Sequence, residues 1–93
     1  MAMDLCIDGE SIVDEADFHA RIRDASGVDW YGGSLDALFD LLVAVVDPPI
    51  AIRLRHAAAA RLTVGARFDR ILTVILDAIA LRGGTAITLV LES

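Results

Sequence analysis

The side chains best equipped for chemistry crowd between Trp30 and Asp47. Three of the chain's five aromatic residues, Trp30, Tyr31 and Phe39, fall there together with Asp36, Asp40 and Asp47. No Lys or Arg occurs from Ser34 to Pro49. Ser34 can cap a helix and Asp47-Pro48-Pro49 must stop one, because proline cannot continue a helix, so a helix is expected from Leu35 to about Val46. At roughly 100° per residue, Leu35, Leu38, Leu42, Val45 and Val46 gather on one face, which must be core. Asp36, Asp40, Val43 and Asp47 gather roughly 80° to 140° round from it, with Phe39 between the two faces.

A pair of carboxylates one helical turn apart can serve acid–base catalysis, a metal ion or a cationic partner. On an exposed helix both groups ionise freely, which suits neither a general acid nor a shared proton. A metal would need more oxygen ligands than two. Stability alone does not select the stripe. Asp36 and Asp40 repel at i, i+4, by a few tenths of a kcal/mol, and Asp is a poor residue for a helix interior. Asp47, near the helix C-terminus, is disfavoured by the helix dipole. A solvated acidic face is the plain reading. Aromatic anchors beside uncompensated charge, on a rigid helix, are instead the composition of a protein-binding surface, here Asp36, Asp40 and Val43 of the stripe with Trp30, Tyr31 and Phe39 at its border.

Catalytic and cofactor motifs are absent elsewhere. One cysteine and two histidines stand far apart, with no metal-type spacing. Gly32-Gly33 and Gly83-Gly84 read as turn glycines, and no phosphate-cradling glycine motif or nucleophile elbow occurs. His19, beside Phe18, and His56, beside Arg55, have no nucleophile or acid partner nearby in sequence and read as surface or partly buried helix residues. Cys6, in an apolar strand, reads as a buried, inert thiol. No catalytic residue, metal or cofactor is therefore expected.

The elements that must position these groups are legible in turn. Leu5-Cys6-Ile7 reads as a strand ending at the turn Asp8-Gly9. Asp14 caps a first helix, with Asp17 as its capping-box counterpart and Phe18, Ile22 and Ala25 at helical spacing. Gly27 to Gly33 is a loop. Ile50 to Leu54 reads as a second strand, largely buried, and Ala57 to Leu62 as a short helix. Phe68, Ile71, Leu72, Ile75, Leu76 and Ile79 give the strongest helical periodicity in the chain, ended by Gly83-Gly84. Ala86 to Leu91 is a third strand. Short apolar strands separated by helices imply crossovers. The expected fold class is α/β: a three-stranded parallel sheet packed with about four helices, in a single domain over residues 1–93.

Charge is unevenly spread. Residues 1–48 hold eleven acids against Arg21 and Arg23, a balance of −9, whereas residues 49–93 hold three acids against six arginines, a balance of +3. An acidic half would repel nucleic acid and favours a cationic partner. No apolar run approaches the ~20 residues of a membrane span. The N-terminal residues lack a basic region followed by an apolar one, and a lone cysteine fits a reducing compartment, so a cytoplasmic protein is expected, with no membrane partner. The lack of lysine beside abundant Ala, Arg, Asp and Val suggests GC-rich coding and a bacterial source.

The same residues resemble the barstar family, inhibitors of barnase-type ribonucleases. Ile7-Asp8-Gly9-Glu10-Ser11-Ile12 looks like the family's first strand and turn, and Asp17-Phe18-His19 like its first-helix signature. The most specific stretch, Trp30-Tyr31-Gly32-Gly33-Ser34-Leu35-Asp36-Ala37-Leu38-Phe39-Asp40, is close to the family's aromatic-Tyr-Gly-x-Asn-Leu-Asp-Ala-Leu-Trp-Asp block. Pro49 follows at the family's distance, and Ala86 to Leu91 resembles its last strand. The resemblance implies a barstar-like fold and a partner that is a basic extracellular or toxin ribonuclease, bound one to one and plugged by the second helix and the loop before it. It implies that Asp40 sits among the enzyme's catalytic cations in place of substrate phosphate. By the same resemblance Asp36 would make a second charged contact, Trp30 would pack as the aromatic anchor, and Phe39 and Gly32 would line the contact. By its place after Ile71, Leu72, Val74 and Ile75, Asp77 would stand for an acid that the family's third helix contributes. Phe39 stands where Trp is usual, Gly33 where a polar residue is common, Ser34 where Asn is, and Val45 where the best-known member has Trp. The alternative is a barstar-like immunity or binding module for another basic toxin domain, without ribonuclease inhibition.

Overall fold

Strand β1 (Met3–Asp8) opens the chain in a computed structural model that describes residues 3–93. It leads through a 3-10 turn, Gly9–Ser11, into helix α1 (Glu15–Ser26). Helix α2 (Leu35–Asp40) runs into a π-helical turn, Leu41–Val45. Strand β2 (Ile50–Arg55), helices α3 (Ala57–Val64) and α4 (Ala66–Arg82) and strand β3 (Ile87–Leu91) complete the order. The three strands form one parallel sheet in the order β1-β2-β3. The expected α/β architecture, three parallel strands with four helices, is the one found.

Local chemistry sets the boundaries. Asp14 accepts from the Asp17 backbone N–H at 2.8 Å, and the Asp17 carboxylate reaches back to the Val13 N–H at 3.1 Å, so the helix start is capped from both sides. At the end of β1, Gly9 lies so close to the end of β2 that an added Cβ would strike the His56 carbonyl oxygen and stand 2.8 Å from that of Arg55. Only glycine permits that approach. His56 itself takes the left-handed conformation at the β2–α3 junction, φ +53°, and its ring bonds Asp8 at 2.8 Å and Glu10 at 3.2 Å.

One expectation about the sheet is corrected. The second strand is not buried throughout: Ile50, Ile52 and Leu54 are buried while Ala51, Arg53 and Arg55 are exposed. β1 alternates likewise, so Cys6 lies exposed on the outer face rather than buried. All helices cover one face, where Leu5, Ile7, Ile50, Ile52, Leu54 and Ile87 meet Phe18, Leu38, Phe68, Ile71 and Ile75. The physical reason is the period-2 pattern of Ile-Ala-Ile-Arg-Leu-Arg, whose arginines alternate with the apolar residues and need water. Each fully buried Leu, Ile or Phe contributes about 1.5 to 3 kcal/mol, so the helical face of the sheet carries the stability.

Candidate functional site: an acidic helix beside an exposed tryptophan

The loop before α2 is held from inside. Tyr31 is buried, at 5% exposure, and its hydroxyl lies 2.5 Å from His19 Nδ1. His19 Nε2 lies 2.9 Å from Glu15 Oε2, and the other oxygen of Glu15 accepts from Arg67 Nε at 2.6 Å. A neutral imidazole carrying its proton on Nε2 satisfies the whole chain: Tyr31 donates to Nδ1 and Nε2–H donates to Glu15. Burial pushes the Tyr31 phenol well above its ordinary range, with the Glu15 charge adding to the effect, so the hydroxyl stays protonated to donate. The Glu15 carboxyl is held below its ordinary value, chiefly by Arg67 and also by His19, against the opposing effect of partial burial. α1, α4 and the loop are thus tied through one polar chain.

Gly33 then turns the loop into the helix with φ +73°, a conformation that favours glycine. Ser34 caps α2, accepting from the Ala37 N–H at 3.0 Å. Leu38 and Leu42 face the core as the spacing predicts, while Leu35 and Val45 are only half-buried. Past Asp40 the helix widens, and Val46 N–H bonds to Leu41 O, five residues back. Leu41, whose own N–H still bonds Ala37 O, joins Leu42 and Val46 in the core at 1% exposure. At the end of that turn Arg82 of α4 donates from Nη1 to the carbonyls of Leu42, at 2.9 Å, and Val46, at 3.0 Å. A cation here satisfies C-terminal carbonyls and opposes the helix dipole favourably.

The structure brings Trp30, Tyr31, Gly32 and Asp40 together around a hollow of about 100 Å³, with Ala37, Leu41 and Val45 completing its wall. Trp30 is 71% exposed, and Asp36 and Asp40 are exposed on α2. Tyr31 borders the hollow from a buried position, so its ring supports the loop more than it offers surface. Phe39 and Val43 are half-buried against the core and lie outside the hollow, as does Asp36. Asp77 is exposed on α4, the fourth helix of this chain, which packs against α2. Sequence reasoning missed Ala37, Leu41 and the Glu15–His19 pair; the i, i+4 spacing of that pair was its one available signal.

A larger hollow, about 320 Å³, lies on the bare face of the sheet beside Cys6, Arg53 and Val90. It holds none of the acid–aromatic groups described above. Among the described residues no group of three or more His, Cys, Asp or Glu is placed to hold a metal ion, and no helix is long and apolar enough to cross a membrane.

Fold and site together define a small α/β domain that presents an acidic helix and an open aromatic rim. Residues 2–92 match the family described as Barstar (barnase inhibitor), essentially the whole chain, and the protein belongs to that family. Members of the family are inhibitors of barnase-type ribonucleases and not enzymes. A search of curated proteins returns no match.

Proposed function

We propose that this chain inhibits a ribonuclease by filling its basic active site with the acidic face of α2 and the loop before it, one to one, inside the cell that makes it. The observation that carries this reading is Asp40, an exposed carboxylate on a capped helix, sharing a hollow with the 71% exposed Trp30. A nuclease site built to hold phosphate is cationic and accepts a carboxylate held in fixed geometry. Asp36 and Asp77 add charge at the margin, Trp30 anchors the loop on the enzyme, and Gly32 lets the two backbones approach. Phe39 and Val43 act from beneath, by shaping the helix. Nothing in this role requires catalysis by the inhibitor.

A second reading rests on Val45. It lines the hollow where the best-known member has Trp, so the surface offers less aromatic area to a target. A basic toxin domain other than a ribonuclease would then be the partner. Titrating the protein into a barnase-type ribonuclease, with RNA cleavage and calorimetry read in parallel, separates the two. Stoichiometric loss of cleavage supports the first reading. Absence of binding to the ribonuclease, with binding to a different basic toxin domain, supports the second.

A further inference from the structure

Both outer strands of the sheet have a free edge, and the two edges are chemically different. Ile50 N–H donates to Ala86 O at 2.7 Å and Glu92 N–H to Leu54 O at 2.9 Å, so Ala86, Thr88, Val90 and Glu92 direct their backbone groups toward β2. In a parallel ladder the alternate residues point the other way. Ile87, Leu89 and Leu91 therefore aim their N–H and C=O groups off the sheet. Ile87 N–H is taken by Gly83 O at 3.2 Å. Among the described residues no backbone group outside the ladder bonds the N–H of Leu89 or Leu91. β1 carries Asp4 and Asp8, charges of the kind that blunt an edge, whereas β3, Ile-Thr-Leu-Val-Leu, has no charge and no proline. Val90 is 46% and Leu91 48% exposed, so the strand shows water both apolar side chains and unpaired backbone groups.

We propose that β3 pairs with the β3 of a second copy of this chain, antiparallel about a two-fold axis through Leu89, to make one continuous sheet. In that register Leu89 exchanges both backbone bonds with its counterpart. Leu91 N–H donates to the second copy's Ile87 carbonyl. Thr88 lies opposite the second copy's Val90 on the outer face, a β-branched pair of the kind that stabilises neighbouring strands. Leu91 lies diagonal to the second copy's Leu89 on the inner face, within reach of its half-buried side chain. The charges are compatible: Glu92 falls opposite Ala86, so no acid of one copy meets an acid of the other across the seam. Because the axis stands perpendicular to the sheet, the helices of both copies stay on one side.

Sedimentation velocity in reducing buffer, from about 5 µM to about 500 µM, tests this over the range typical of weak, specific association. The wild-type chain should shift from monomer to dimer as concentration rises. Leu91→Pro removes an outward N–H without touching the β2 ladder, and Val90→Lys places on the edge the charge that natural sheets use to block pairing. Each should weaken dimerisation about tenfold or more, while thermal melts at the lowest concentration match wild type. Amide exchange on the wild-type chain gives a second measurement, in which protection of Leu89 and Leu91 should grow with concentration. A chain that stays monomeric throughout, dimers unaffected by both substitutions, or concentration-independent protection at these two amides would overturn the proposal.

Discussion

Asp40 separates the demands of folding from those of a partner. Its side chain is exposed, sits one turn from Asp36, and makes no hydrogen bond or ion pair among the described residues. Asp40→Ala should therefore leave stability within about 0.5 kcal/mol of wild type, the range for surface changes away from structural features. Target binding should fall by about 3 to 5 kcal/mol, because deleting one member of a desolvated charge pair strands the other. Asp77→Ala and Glu10→Ala should cost binding far less. Urea melts and titration calorimetry on each variant check both halves. An Asp40→Ala protein destabilised by more than about 1 kcal/mol, or binding as wild type does, would contradict the assignment. Glu15 presents the opposite case, a carboxylate kept for the fold. Its folded pKa lies below the ordinary 4.5, so its contribution is present above that pH and is lost as pH falls through the folded value. Urea melts between about pH 7 and pH 3 should show stability dropping on the acid side. Glu15→Gln should flatten that drop while lowering stability at neutral pH.

At the level of elements, the sequence carried most of what is local. The caps at Asp14 and Ser34, the glycine stop at Gly83 and the apolar period of α4 all act over a few residues and could be read directly. What escaped notice was tertiary. Tyr31 lies in a loop that looks exposed, yet it is buried and bonded to His19, twelve residues away, which bonds Glu15, itself bonded to Arg67 fifty-two residues further along the chain. Cys6 looked buried because its neighbours are apolar; only the second strand's arginines reveal a one-sided sheet. The π-helical turn left no mark in the spacing, since Leu42 and Val46 keep the core positions that an ordinary helix would give them. Arg82 depends on that turn. It donates to the carbonyls of Leu42 and Val46. Arg82→Met should cost about 1.5 to 3 kcal/mol, the value of a charged hydrogen bond, in urea melts. Asp40 sits one turn before this clamp, so the same substitution should also weaken target binding by loosening the helix that presents it. An Arg82→Met protein with unchanged stability would mean that water satisfies those carbonyls equally well.

For the whole molecule, what matters is where the charge lies. The balance of −9 over residues 1–48 covers β1, α1, the loop and α2, while the later arginines of β2, α3 and α4 give +3 over residues 49–93. Several of those arginines are already engaged inside the chain: Arg67 with Glu15, Arg61 with Asp69, and Arg53 and Arg55 with Glu92. Asp29, Asp36, Asp40 and Asp47, exposed on the loop and around α2, meet no cation among the described residues, so the surface that holds Trp30 and Asp40 presents uncompensated negative charge to an approaching protein. A field of that shape orients a cationic partner before contact, which raises the association rate more than it slows dissociation. It also extends only as far as salt allows, about 10 Å at 0.1 M and about 3 Å at 1 M. Stopped-flow association with the target should consequently slow about tenfold or more between those salt concentrations. The dissociation rate should change much less, because the contacts that set it are short and shielded from ions. Removing charge at Asp29, exposed beside Trp30 but outside the hollow, should reduce the association rate and its salt dependence while leaving dissociation almost unchanged. An association rate that stays flat across that range would mean that Asp40 is recognised on contact and that the exposed acids around it have no part in the approach.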